Sequence, residues 1–192
     1  MKKVCNRCLS FWFVAALLLS LTGCTMHVTK HISDKLDMEA INRNYGIKPI
    51  DLSSGSKCAG APAVKIVNME MRTDDYPAFK NPPYEGFINP KEMMNSVSSY
   101  LKDGFEKNRI KADDQSTKVL QLKMIDLQSV AGVWSFGGTF KMELQIPEKN
   151  IAKTYEATEN AGNGFSAAAY AIHGACRKVI DDPVVQEYIL CK

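Results

Sequence analysis

Hydrophobic and polar positions change period several times along this chain, and each change predicts an element. Ala63-Val64-Lys65-Ile66-Val67-Asn68-Met69-Glu70-Met71 alternates loosely and is rich in β-branched residues, which predicts a strand. From Met93 the apolar residues recur at helical spacing: Val97, Tyr100, Leu101 and Phe105 follow on one face. Asn89 supplies an N-cap for that helix, Pro90 suits its first position, and Glu92 completes a capping box, so the helix is expected from 90 to about 108. Thr117–Gln128 predicts a second strand, with a bulge where the apolar phase moves from Leu120, Leu122 and Met124 to Ile125 and Leu127. Phe140, Met142, Leu144 and Ile146 then alternate with Lys141, Glu143 and Gln145, the pattern of a strand with one wet face. Pro147–Asn150 turns the chain into a fourth strand, about Ile151–Thr158. A second helix buries Phe165, Ala168, Ala169, Ile172, Cys176, Val179 and Ile180, and Asp182-Pro183 opens a short third one. The order is β-α-β-β-β-α-α. Its simplest architecture is α+β, a four-stranded and mostly antiparallel sheet with two main helices packed on one face.

The N-terminal pattern predicts an address. Lys2, Lys3 and Arg7 precede an apolar run, Phe11–Leu19, that is shorter than the roughly 20 residues a spanning helix needs. Leu21-Thr22-Gly23-Cys24 follows with the form of a lipobox. Residues 1–23 therefore read as a lipoprotein signal peptide. Cys24 reads as the acylated N-terminus, and residues 24–57, polar and Ser-rich near 53–56, as a tether. A single periplasmic domain is expected from 58 to 192. Thr25, rather than an aspartate, after the lipid cysteine points to the outer membrane by the sorting rule of lipoproteins as a class.

Cutting the leader changes the charge and the cysteine arithmetic. The chain has 24 Lys+Arg against 21 Asp+Glu, but Lys2, Lys3 and Arg7 leave with the leader and no acidic residue does, so the mature part is balanced. A basic nucleic-acid footprint is thereby excluded. Cys5 and Cys8 are removed as well, leaving Cys58, Cys176 and Cys191 beside Cys24. An oxidising compartment favours one disulfide. Cys58 with Cys191 is the favoured pair because they flank the domain, while the other two pairings stay open.

Candidate chemistry is sparse. His27 and His31 are four apart but lack further ligands for a zinc site, and His173 borders a buried stripe. Gly162-Asn163-Gly164-Phe165-Ser166-Ala167 fits G-x-G-x-x-A, yet no second parallel strand or acidic ribose ligand follows, so it reads as a tight strand-to-helix turn. Asp74-Asp75, Asp113-Asp114 and Asp181-Asp182 fall in turns or caps. No catalytic residue, metal or cofactor is expected. One candidate binding surface stands out: the segment Arg72–Asn89, read as a loop stiffened by Pro77, Pro82 and Pro83 and carrying Tyr76, Phe79, Tyr84 and Phe87. Those aromatics either contact a partner or cover the sheet. Trp134 and Phe136 extend the same patch or lie in the core.

With the lipobox, the strand ending in Met71-Arg72-Thr73-Asp74, the long alternating strands and the helix opened by Gly162-Asn163-Gly164, the chain resembles the YajG-like family of Gram-negative outer-membrane lipoproteins over residues 63–190. The three mature cysteines and the aromatic segment lie outside that likeness. Auxiliary lipoproteins of envelope ABC transporters have a similar build. The lipobox, the balanced mature charge and the absence of convergent polar residues together lead to the expectation of an outer-membrane-anchored, non-enzymatic accessory lipoprotein whose periplasmic domain binds another envelope component. An auxiliary transporter subunit is the alternative, and a cell-wall enzyme a third reading.

Overall fold

The computed structural model describes residues 25–27, 60–81 and 84–191, with Thr25–His27, Asn81 and Tyr84 described by backbone alone. Cys24, Cys58, the leader and most of the expected tether lie outside the described residues. The elements in chain order are β1 (Thr25–His27), β2 (Ala63–Asn68), β3 (Tyr76–Asn81), β4 (Tyr84–Ile88), α1 (Pro90–Lys107), β5 (Lys111–Ala112), β6 (Val119–Ala131), β7 (Phe136–Ile146), β8 (Ile151–Ala161), α2 (Gly164–Ile180) and α3 (Pro183–Leu190). The α+β class is as expected. The four-stranded, mostly antiparallel sheet is not: the sheet is mixed and has more strands.

Two features account for the difference. The aromatic segment expected as a loop is a β-hairpin, β3 with β4, whose register breaks between Pro77 and Phe79. Proline forbids only the ladder bond its own nitrogen would donate, and an irregular pairing loses little there. Second, β2 and β3 both run parallel to β6, along one edge of it. β6, β7 and β8 form the antiparallel meander that the alternation predicts, with the bulge placed between Met124 and Asp126. Thr25–His27, expected in the tether, pairs in parallel with β4.

The core lies between one face of this sheet and the helices. Phe140, Met142, Leu144 and Ile146 of β7 are fully buried there with Leu120, Leu122, Met124 and Leu127 of β6. α1 covers β2, β5 and β6, while α2 covers β7 and β8. Helix ends follow the local sequence. Asn89 accepts the Glu92 N–H at 3.1 Å, Asn163 accepts the Ser166 N–H at 2.9 Å, and Asp182 accepts the Val184 N–H at 2.8 Å. The turn reading of the glycine motif holds, and a second glycine shows why the packing is close. A Cβ on Gly138 of β7 would sit 2.3 Å from the backbone carbonyl of Ala167, so α2 can rest on the sheet only where β7 has no side chain. Cys176 is a buried, free thiol on α2, pushed up from its ordinary pKa by burial. Cys191, at the left-handed cap of α3, is not among the free cysteines.

Candidate functional site

β2 pairs with β6 through Asn68↔Leu122, and β3 resumes the same edge only at Phe79↔Ser129. Between them Met69–Asp75 leaves the ladder, and side chains take over its hydrogen bonds. Met69 N–H still reaches Leu122 O at 2.7 Å. The Arg72 guanidinium then donates through Nη2 to Met124 O at 2.7 Å, a bond that a neighbouring strand would otherwise make. Farther along, the Tyr76 hydroxyl donates to the Asp126 carboxylate. β6 is itself irregular at this level, where its register with β7 shifts between Met124 and Asp126.

Glu70 sits at the centre of the detour with its side chain fully buried. Arg72 grips it in a fork, Nε to Oε1 at 2.8 Å and Nη2 to Oε2 at 2.7 Å, and the Arg72 N–H adds a third bond at 3.0 Å. Those hydrogen bonds from Arg72 hold the Glu70 carboxyl below its ordinary pKa, against the opposing pull of burial, and raise that of Arg72 in turn. Tyr76 is pushed up to about 12, by burial first and then by the Asp126 carboxylate it bonds. Asn68 ties the detour to α1: its Oδ1 accepts the Glu70 N–H at 2.8 Å and its Nδ2 donates to Lys91 O and Asn95 Oδ1.

Above this network opens a cavity of about 440 Å³. Met69, Met71 and Ile125 form apolar walls, Lys123 and Glu143 charged ones, and the Glu70–Arg72 pair lies at its base. Met71 is 76% exposed and Met69 43%. Flexible, polarisable methionines suit contact with apolar side chains of varied shape. Both Glu70 oxygens are committed to Arg72, so the base of the cavity holds a charge in place rather than offering a proton. Among the described residues no group of three or more His, Cys, Asp or Glu could hold a metal ion. No described helix is long and apolar enough to cross a membrane.

The described aromatics of the hairpin are partly or fully buried. Tyr76 is half-buried on Asp126, and Phe79 is buried with its ring 4.9 Å from that of Phe165. Phe87 is half-buried in β4, and Tyr84 begins β4 with its side chain outside the described residues. Phe136 is half-buried, whereas Trp134 is 95% exposed. His173 is buried on α2 against Tyr100 of α1, its Nδ1 in contact with the Tyr100 hydroxyl, and burial followed by the nearby Arg177 pushes its pKa down to about 4. His27 lies in β1, and His31 lies outside the described residues. The sequence reading passed over Met69, Glu70, Arg72 and Asp126. In the sequence they carry only a weak signal, the i, i+2 spacing of Glu70 and Arg72 just past the end of β2.

No family model matches this chain, and no curated relative does. Two solved structures are similar over most of their length. One is the PelC dodecamer from Paraburkholderia phytofirmans, 12% identical, covering 70% of this chain and 93% of its own at a TM-score of 0.35. The other is an uncharacterized protein, 4% identical, covering 66% and 91% at a TM-score of 0.34. Likeness at that level carries no conclusion about function.

Proposed function

We propose that this chain is a lipid-anchored, non-enzymatic accessory protein of the cell envelope, held at the outer membrane through Cys24, whose periplasmic domain binds another envelope protein at the Met69–Met71–Ile125 cavity. The observation that supports this reading most is the exposure of Met69, Met71 and Ile125 around an ion pair that is itself fully satisfied. Such a site recognises a partner's apolar side chains and orients them by charge. The lipobox supplies the address, and the favoured Cys58–Cys191 disulfide belongs to the same reading of an oxidising compartment.

A photo-crosslinking residue at Met71 tests the proposal in intact cells. A covalent adduct with one defined envelope protein, reduced when Ile125 is replaced by Asp, is the expected outcome. Labelling at Met71 no stronger than at exposed Lys149, on the far end of the β7–β8 turn, would overturn it.

A further inference from the structure

The β6–β7 hairpin ends in an apolar tip. Gly132 N–H donates to Ser135 O at 2.7 Å, closing the turn, and this places Val133 and Trp134 at its two outermost positions. Val133 is 87% exposed, Trp134 95%, and Val130 just behind them 48%. From Leu127 through Phe140 the chain carries no charged side chain, although 23% of its residues are charged. Single exposed apolar residues need no explanation. An uncharged hairpin tip led by a tryptophan does.

Strand register shows what this tip faces. Val130 is level with Lys80 of β3, Lys80 with Glu85 of β4, and Glu85 with Thr25 of β1. Thr25 therefore starts β1 at the same end of the sheet as the hairpin tip, three strand spacings from β6, or roughly 14 Å. Cys24 precedes Thr25 in sequence, and covalent geometry keeps consecutive Cα atoms about 3.8 Å apart. Parallel pairing of β1 with β4 gives β1 its N-terminal end on the side of the tip.

We infer that Val133 and Trp134 form a second contact with the bilayer, seated at the boundary of headgroups and acyl chains in the leaflet that holds the Cys24 lipid. The inference rests on the lipoprotein reading above. Tryptophan favours this boundary because its ring is apolar and its indole N–H can reach water or headgroups. Lys80 and Glu85, exposed one step behind the tip, are opposite in charge, so the contact needs no anionic lipid. Two points of attachment would fix the tilt of the domain, which a flexible lipid anchor alone cannot do.

Trp134 is the sole tryptophan of the mature chain, since Trp12 leaves with the leader, and its fluorescence reports this contact without a label. The lipidated protein is reconstituted into vesicles of phosphatidylethanolamine and phosphatidylglycerol, with lipids brominated at different depths as quenchers. Trp134 emission should shift to the blue, and bromines near the headgroup end of the chains should quench it roughly twofold or more. Val133→Asp, at a position too exposed to disturb folding, should abolish most of that quenching. The mass of the Cys24 peptide is read in parallel. Acylated protein whose Trp134 stays open to aqueous acrylamide overturns the bilayer contact and leaves the lipoprotein reading standing. An unacylated Cys24 removes both. Shielding of Trp134 in cells but not in vesicles also overturns the contact, assigning the tip to a protein partner instead.

Discussion

The two sides of β6 are built differently. On one side β7 and β8 follow in an antiparallel meander, and their pairing runs unbroken from Phe136↔Ala161 to Ile146↔Ile151, eleven residues to a strand. On the other, β2 and β3 share one edge with a gap between them, and Arg72, Glu70 and Tyr76 carry the chain across it. A backbone ladder is indifferent to most exposed side chains, because nearly every residue type can supply an N–H and a C=O. A ladder completed by side chains depends on their identity. Mutational sensitivity at polar positions should therefore concentrate on the gapped side, while the meander should be sensitive chiefly where a helix touches it.

The sharpest way to break this comparison is Arg72→Ala. It leaves the Glu70 carboxylate buried without its partner and Met124 O without its donor, and it should lower stability by about 3 kcal/mol in urea denaturation. A loss under about 1 kcal/mol would mean the gapped edge is held by something else. Acid titration should give an effect of similar size on the other side. His173 is neutral in the fold with its pKa depressed to about 4, while the unfolded chain takes up its proton near 6.5. Its contribution is thus intact above 6.5 and declines as pH falls toward 4, by on the order of 3 kcal/mol in total. Glu70, also depressed, acts in a lower window: its contribution is present above the unfolded carboxylate value and is lost as pH falls through its own folded pKa. His173→Gln should flatten the first decline and leave the second, as followed by thermal melts across pH.

Gly138→Ala comes next, at about 2 kcal/mol, because its Cβ would meet the Ala167 backbone rather than a side chain that can rotate away. Lys141→Ala should be the mildest. Lys141 pairs with Glu156 at 3.3 Å across the wet face of the meander, with both side chains substantially exposed, so its removal should cost less than about 0.5 kcal/mol in the same assay. If Lys141→Ala rivals Arg72→Ala, the distinction between the two sides fails.

The same contrast explains what could be read in advance. Asn89, Pro90 and Glu92, or Asp182 and Pro183, act within one turn of their own position, so helix starts were legible. Phe140 to Ile146 alternates because one face is wet, and the strand was legible for that reason. Parallel pairing of β2 and β3 with β6 joins residues some fifty positions apart, as in Phe79↔Ser129, and leaves no periodic trace. Pro77 argued for a loop where the chain forms an irregular hairpin, while Pro82 and Pro83 lie outside the described residues. The pairing of Arg72 with Glu70 was not legible, since it fills a gap that only the assembled sheet defines.

β6 has a consequence in time as well as in space. Synthesis runs from the N-terminus, so β2, β3 and β4 are complete before Val119 exists, yet β2 and β3 need β6 as their neighbour. Local hairpin and helix formation can proceed meanwhile, but the central sheet must wait for a long loop to close. Its rate should therefore be governed by contact order, and the β6–β7–β8 meander, joined by short turns, is expected to form ahead of the pairing of β2 and β3 with it.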